Sequence, residues 1–257
     1  MTSAISAEPA TEKAATDAVV EAKEITRVYG EGETAVRALN GCSVEVDRGQ
    51  LTAVMGPSGS GKSTMMHILA GLDRPTGGSV SIEGADITKL NDNELTKLRR
   101  EHIGFIFQFF NLLPMLTTEE NIRLPLELAG GKIDKEWLDE VIKRTGLDDR
   151  RAHRPSELSG GQQQRVAIAR ALASKPTVIF ADEPTGNLDS ATSGQILELL
   201  RDMVADFGQT IVMVTHDARA AAIASRILFL ADGCIVKELK GADQSEIIGA
   251  VDAVSRQ

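Results

Sequence analysis

The sequence predicts an α/β fold whose parallel sheet is covered on both faces. Two observations predict it. Short, continuous apolar runs alternate with stretches of helical periodicity, and a strand buried on both faces reads as such a run. One run also leads through a glycine-rich turn straight into a helix, the unit from which such sheets are built.

Along the chain, Met1 to about Glu21 is rich in Ala, Thr, Ser and Glu and nearly lacks large apolar residues. Such a segment buries too little surface to offset its ordering entropy, so residues 1–21 are expected to be a disordered tail. One domain is expected over residues 22–257. Tyr29 falls in an apparent edge strand ahead of the turn Gly30-Glu31-Gly32. Leu51–Met55 (LTAVM) reads as a buried strand and Lys62–Leu72 as a helix. Val178–Ala181, Ile211–Thr215 and Ile227–Ala231 read as further buried strands, with helical patterns over Gln162–Ser174 and Ser190–Phe207. Between about Glu94 and Glu157 charges are dense and buried-strand runs are few. This predicts a mainly helical insertion, at about residues 95–165, with a break at Gly130-Gly131. Ala242–Val254 has the pattern of a final amphipathic helix, placed at about 243–254.

Composition narrows the function classes. With 42% apolar and 25% charged residues in 257, a packed core is within reach. Lys plus Arg is 28 against 37 for Asp plus Glu, a net charge of −9. That balance argues against holding nucleic acid by bulk electrostatics, so no nucleic-acid partner is expected. Two cysteines, Cys42 and Cys234, exclude a disulfide framework and a cysteine-based zinc site. No apolar run reaches the ~18 residues of a membrane span. Met1–Glu24 lacks the basic start and apolar core of a signal peptide, so a product soluble as made is expected.

Gly56-Pro57-Ser58-Gly59-Ser60-Gly61-Lys62-Ser63-Thr64 matches G-x-x-x-x-G-K-[ST] between a predicted strand and a predicted helix. Its glycines let backbone N–H groups converge on phosphate oxygens, and the helix N-terminus adds a favourable dipole. Lys62 would reach the β- and γ-phosphates, and Ser63 would ligate Mg2+. Asp182 and Glu183 follow the buried strand Val178–Ala181, where α/β sheets bind ligands. Asp182 suits Mg2+, and Glu183 suits polarising an attacking water. Of the four histidines, His216 alone ends an apolar strand and could donate to a γ-phosphate. His67, His102 and His153 are read as packing or surface residues.

Leu158-Ser159-Gly160-Gly161-Gln162 precedes a strong helical pattern, and Ser159 with the two glycines would form a second anion-binding helix start. Two copies packed head to tail would then close two equivalent sites. LSGGQ between a phosphate loop and VIFADEPT resembles the ATP-binding-cassette (ABC) ATPases, from about Ala22 to Lys240. The resemblance implies a P-loop NTPase (RecA-like) core with a parallel sheet, an antiparallel β edge on the N-terminal side and an inserted α-helical subdomain. It implies ATP and Mg2+ as ligands. Gly56, Ser58, Gly59, Ser60, Gly61, Lys62, Ser63 and Thr64 resemble Walker A. Val178–Glu183 resembles Walker B, with Asp182 at the metal and Glu183 as catalytic base. Gln108 resembles the Q-loop glutamine, a metal and catalytic contact. Ser159, Gly160, Gly161 and Gln162 resemble the signature, Gly186–Asp189 the D-loop, His216 the switch histidine, and Tyr29 the aromatic that stacks on adenine.

Gln108–Pro114 (QFFNLLP), Gly71–Thr76 and Asp182–Asp189 further resemble the ATPases of MacB-, LolD- and FtsE-type systems. Gln50 stands where many relatives have Glu. That likeness implies an ATPase homodimer at the cytoplasmic face of the membrane, bound to a transmembrane permease on a separate chain. It implies either export or an FtsE-like mechanical control of cell-wall enzymes. Of the seven phenylalanines, Phe105, Phe107, Phe109 and Phe110 cluster around Gln108. About half of the apolar residues there are expected in the core. The rest, Phe110 among them, are expected to line a groove for a permease helix.

Overall fold

A computed structural model describes residues 17–130 and 132–254 of the chain. The chain opens with two long strands, β1 (Ala18–Tyr29) and β2 (Val36–Asp47), then the short β3 (Leu51–Met55) and helix α1 (Lys62–Leu69). Strands β4 (Gly77–Ile82) and β5 (Ala85–Asp86) follow, then α2 (Asp92–His102), β6 (Ile103–Ile106), α3 (Thr118–Ala129), α4 (Lys135–Arg144) and α5 (Gly160–Ala173). The last part alternates β7 (Val178–Asp182), α6 (Ser190–Phe207), β8 (Thr210–Val214), the short α7 (Ala218–Ala221), β9 (Arg226–Ala231), β10 (Cys234–Lys240) and α8 (Gln244–Val254).

The strands form two sheets. A four-stranded antiparallel sheet has the order β2-β1-β4-β5, and a six-stranded sheet has the order β10-β9-β3-β8-β7-β6. In the larger sheet β9, β3, β8, β7 and β6 are parallel, and β10 pairs antiparallel with β9. Its strands are apolar throughout because they separate two cores. Ile179, Ala181, Ile211, Met213, Ile227 and Phe229 face the core formed with α3, α5, α6 and α8. Their alternates Val178, Phe180, Val212, Val214, Leu228 and Leu230 face the core shared with α1 and the antiparallel sheet. A period of two thus yields continuous apolar runs when both faces are covered.

Four expectations change. Residues 1–16 of the expected tail lie outside the described residues, but Ala18–Glu21 already belong to β1. Val19 and Val20 are buried, and Val20 pairs with Val46 on one side and Ile82 on the other. Two apolar residues suffice there because ladders on both sides satisfy the backbone. For the same reason β1 is an interior strand of its sheet and not an edge strand, although beyond Thr26 it pairs with β2 alone and Tyr29 is laddered only to Val36. Helix α1 stops at Leu69 and not at Leu72. Gly71 turns left-handed at φ +62°, and the Leu72 and Asp73 N–H groups close back on the His67 carbonyl.

The fourth change concerns the insertion expected over residues 95–165, which contains a strand of the core. Strand β6 pairs in parallel with β7, from Ile103 opposite Val178 to Ile106 opposite Ala181. Its four residues, one of them glycine, are too short a run to separate from a helix by periodicity alone. The helical part proper is α3 and α4, with α5 starting at Gly160, where Ser159 and Gln162 cap its N-terminus reciprocally. Gly130 ends α3 in the left-handed conformation, and Gly131 lies outside the described residues.

Strand β6 also packs tightly on α5. A Cβ at Gly104 would stand 2.8 Å from the Ala171 carbonyl oxygen and 3.0 Å from Ile179. Gly104→Ala is therefore expected to lower the unfolding free energy by about 1–3 kcal/mol, the usual cost of overpacking, measurable by urea denaturation.

Candidate functional site

Register assembles the site. Val54 of β3 and Asp182 of β7 both lie opposite Val214 of β8. Parallel strands in step end at one edge, so whatever follows β3, β7 and β8 meets there. After β3 comes the glycine-rich loop, at the end of β7 the pair Asp182-Glu183, and after β8 Thr215 and His216.

The loop wraps around its own lysine. Lys62 Nζ donates to the Gly56 carbonyl at 2.9 Å and the Pro57 carbonyl at 2.8 Å. Gly56, Gly59 and Gly61 have φ of +153°, +80° and +101°. A Cβ at Gly56 would collide with the Leu230 carbonyl, and one at Gly61 with the Ala38 carbonyl. Glycine is obligatory at both positions, so that the main chain can curl against β2 and β9. The loop bounds a cavity of about 180 Å³ lined by Ala38, Gly59, Gly61, Lys62, Ser63 and Thr64. Backbone amides, an ammonium and two hydroxyls around an opening of this kind suit a polyphosphate.

Across from the loop, Glu183 adopts φ +46°, uncommon for a residue with a side chain. Its N–H donates to the Val214 carbonyl at 2.9 Å, and its carbonyl accepts from Gly186 N–H at 3.0 Å. These two bonds hold the turn and aim the side chain. His216 Nδ1 lies 2.8 Å from Glu183 Oε1, and the Thr215 hydroxyl donates to Oε2 at 3.5 Å. An ionised carboxylate only accepts, so Nδ1 carries the proton and leaves Nε2 free. Glu183 is largely sheltered at 18% exposure while His216 is open at 74%.

Burial works against both charges at the centre. It lowers the pKa of Lys62, opposed by Glu183 and Asp182. It raises the pKa of Asp182, with His67 and Lys62 pulling it down and Glu183 adding to the rise. A strand-end carboxylate kept above its ordinary range beside a lysine kept below its own marks a site arranged for a charged ligand. The sequence gives His67 no role beyond that of a packing or surface residue. One turn of α1 beyond Lys62 and Ser63 brings it within electrostatic reach of Asp182, a spacing that could have flagged it. Thr215 was also missed, although it directly precedes His216.

The other expected residues lie further out. Gln108 follows β6. Its amide donates to Asn187 Oδ1 at 3.3 Å, and the Asn187 amide donates to the Gln108 carbonyl at 3.0 Å. The glutamine is thus tied to segment 186–189, and not to Ser63 or Asp182. Asp189 caps α6, accepting from the Ala191 and Thr192 N–H groups at 3.0 Å and the Thr192 hydroxyl at 2.6 Å. These bonds, the hydroxyl first, hold its pKa below the usual carboxylate range. Gly160 and Gly161 pack on Leu188 and Thr192. Ser159–Gln162 are not among the residues lining the phosphate-loop cavity. Tyr29, at the end of β1, is 41% exposed.

The segment after Gln108 is held from inside. Arg170 of α5 donates to the Phe110 and Asn111 carbonyls at 2.9 and 2.6 Å. Asn121 of α3, fully buried, accepts from Leu113 N–H and donates to the carbonyls of Leu113, Leu116 and Thr117. Phe109, Leu113 and Met115 are left 70%, 46% and 83% exposed. Phe110, expected on the surface, is half-buried beside Gly160, because Arg170 draws its backbone inward.

Because burial outweighs the attractions on Asp182, its charge is a net cost to the nucleotide-free fold. Asp182→Asn is expected to raise the melting temperature without nucleotide, by about 2–4 °C per kcal/mol relieved. A thermal melt with and without ATP checks this, since stabilisation by ATP should shrink in the same variant.

Comparison with known proteins shows the family and the fold. The family model for ABC transporters matches residues 39–186. The ABC transporter ATP-binding protein MJ0796 of Methanocaldococcus jannaschii is 47% identical over 234 residues, covering 88% of this chain and 99% of its own. The macrolide export ATP-binding/permease protein MacB of Hyphomonas neptunium is 46% identical over 225 residues, covering 87% of this chain and 35% of MacB. The chain thus spans about a third of MacB and nearly all of MJ0796. Among solved structures, the dimeric post-hydrolysis state of MJ0796 bound to ADP and Pi has a TM-score of 0.78 at 45% identity, covering 87% of this chain and 99% of that one. The structure of cbiO1 from Clostridium perfringens has a TM-score of 0.80 at 26% identity, covering 93% and 94%. The chain belongs to the ABC transporter ATP-binding family and is an ATPase of the P-loop type.

Proposed function

We propose that the chain hydrolyses Mg2+-ATP between two head-to-tail copies, and that closure of this dimer moves a separate membrane-spanning permease in a MacB- or LolD-like export system. The observation that carries the reading is the Glu183–His216 pair, 2.8 Å apart at the strand edge that also holds Lys62 and Asp182. In this reading Glu183 takes the proton of the attacking water, and its strained turn keeps the carboxylate aimed at the loop. His216 stays oriented through Nδ1 and offers its other ring nitrogen to the γ-phosphate. Lys62 and the N–H groups of Gly56–Thr64 hold the phosphates, and Tyr29 stacks on the base.

Ser63, Asp182 and the amide oxygen of Gln108 are hard oxygen donors suited to Mg2+, which when bound neutralises phosphate charge. The Gln108 side chain meets Asn187 through Nε2, its donor end, which leaves the amide oxygen as the atom for the metal. Ser159, Gly160, Gly161, Gln162 and Asp189 would complete the site of the second copy, since Ser159–Gln162 do not line the cavity of their own loop. MJ0796, the similar cassette above, is dimeric in its solved structures.

Among the described residues no helix is long and apolar enough to cross a membrane. We place the chain at the cytoplasmic face through the exposed Phe109, Leu113 and Met115, which would receive the permease. MacB carries ATP-binding and permease parts under one name, which is the precedent for such a pairing.

Three outcomes test these assignments. Glu183→Gln should slow hydrolysis roughly 10²- to 10⁴-fold while ATP accumulates in a dimer seen by size-exclusion chromatography; wild-type turnover would remove the base assignment. Phe109→Asp should abolish transport by the complex with its permease yet spare hydrolysis by the isolated chain. In that complex, a cargo that stimulates hydrolysis identifies an exporter, whereas hydrolysis indifferent to every cargo points to a mechanical, FtsE-like role.

A further inference from the structure

Tyr29 is not a free side chain. Its hydroxyl donates to Asp73 Oδ2 at 2.8 Å, and the guanidinium of Arg27 lies over its ring with Cζ 4.5 Å from the centroid. The same Asp73 carboxylate receives Arg27 Nη2 on Oδ1 at 2.9 Å. One carboxylate therefore fixes both the cation on the ring face and the hydroxyl in the ring plane.

The sequence sets this up from two directions. Arg27 and Tyr29 are two apart on β1, and their side chains meet on one face although the register to β2 shifts between Arg27 and Val28. Asp73 arrives from the end of α1, where its N–H and that of Leu72 bond the His67 carbonyl. The Arg74 N–H also donates to Oδ1, the oxygen that receives Arg27, at 2.8 Å. The Arg27 side chain is 24% exposed, and its Nε is buried with no hydrogen-bond acceptor among the described residues. A partly desolvated cation is where a cation–π contact counts most. The ring keeps its remaining surface open, and its cross-strand partner Val36 lies two residues from Ala38, which lines the phosphate cavity.

We infer that Arg27 and Asp73 are positioning residues for the nucleotide base: they clamp the Tyr29 ring on one face and hold the other ready to stack a purine. This rests on Tyr29 being the base-stacking residue of the proposed ATP site. A loose tyrosine would lose rotamer freedom on stacking; a clamped one has already lost it in folding. Removing the clamp should therefore weaken only the base-dependent part of binding, by about 3- to 10-fold.

The test is titration calorimetry on the full chain with Mg2+ and two probes, a non-hydrolysable ATP analogue and inorganic tripolyphosphate, which has no base. Arg27→Ala and Asp73→Asn are each expected to weaken the analogue about 3- to 10-fold and leave tripolyphosphate unchanged, with Arg27→Lys recovering part of the loss. Tyr29→Ala should weaken the analogue at least as much, and adding Arg27→Ala to it should cost nothing more. Unchanged analogue affinity in Arg27→Ala and Asp73→Asn, beside a loss in Tyr29→Ala, overturns the clamp alone. Equal loss of both probes also overturns it, because the effect is then on the fold and not on the base. No loss in Tyr29→Ala overturns the stacking assignment itself.

Discussion

Everything at the site hangs on the register of β3 and β7 against β8. Val214 is the common reference: Val54 and Asp182 sit opposite it on either side, and the Glu183 N–H bonds its carbonyl. A slip of one residue in either strand would turn the alternating core residues to the wrong face. Phe180, fully buried in one core, and Phe229, fully buried in the other, make that slip prohibitive. Packing on both faces thereby holds the phosphate loop, the two carboxylates and the histidine at fixed separations without any direct bond between loop and carboxylates. The geometry of this strand edge is a by-product of core packing.

That rigidity supports features the fold would otherwise shed. Lys62 and Asp182 are each partly stripped of water, and Glu183 sits in a backbone region that disfavours side chains. Each is a local cost, and together they concentrate at one strand edge, as strain and perturbed pKa values do at functional sites. The same logic extends to Tyr29, proposed above to stack on the base. There an arginine is drawn under a tyrosine ring by a carboxylate brought in from another element.

A second constraint links the site to the outer surface. Arg170 and Asn121 hold the main chain of residues 110–117 through its carbonyls. Arg170 belongs to α5, the helix that opens with Ser159–Gln162, while Gln108 is tied to the turn before α6. Both α5 and that turn are thus bonded directly to the segment that carries Phe109, Leu113 and Met115. Carbonyl oxygens as acceptors make this linkage independent of the exposed side chains, which are left free to meet another surface.

The sequence by itself determined the α/β class, the buried strands β3, β7, β8 and β9, and the residues of the phosphate loop. These are local matters: continuous apolar runs, glycines where a Cβ has no room, a lysine and hydroxyls at a helix start. The residue types after β7 and β8 were equally legible, because strand ends of α/β sheets carry chemistry. Tertiary structure alone decided the rest. Strand β6 is four residues with no periodicity of their own, recruited by β7. Val19 and Val20 join a strand only because β2 and β4 flank it. Phe110 turns inward because Arg170, 60 residues away, holds its carbonyl. The Arg27–Tyr29–Asp73 clamp joins residues 44 apart. Contacts between distant segments leave no period in the sequence, since their geometry exists only once both sheets and both cores have closed.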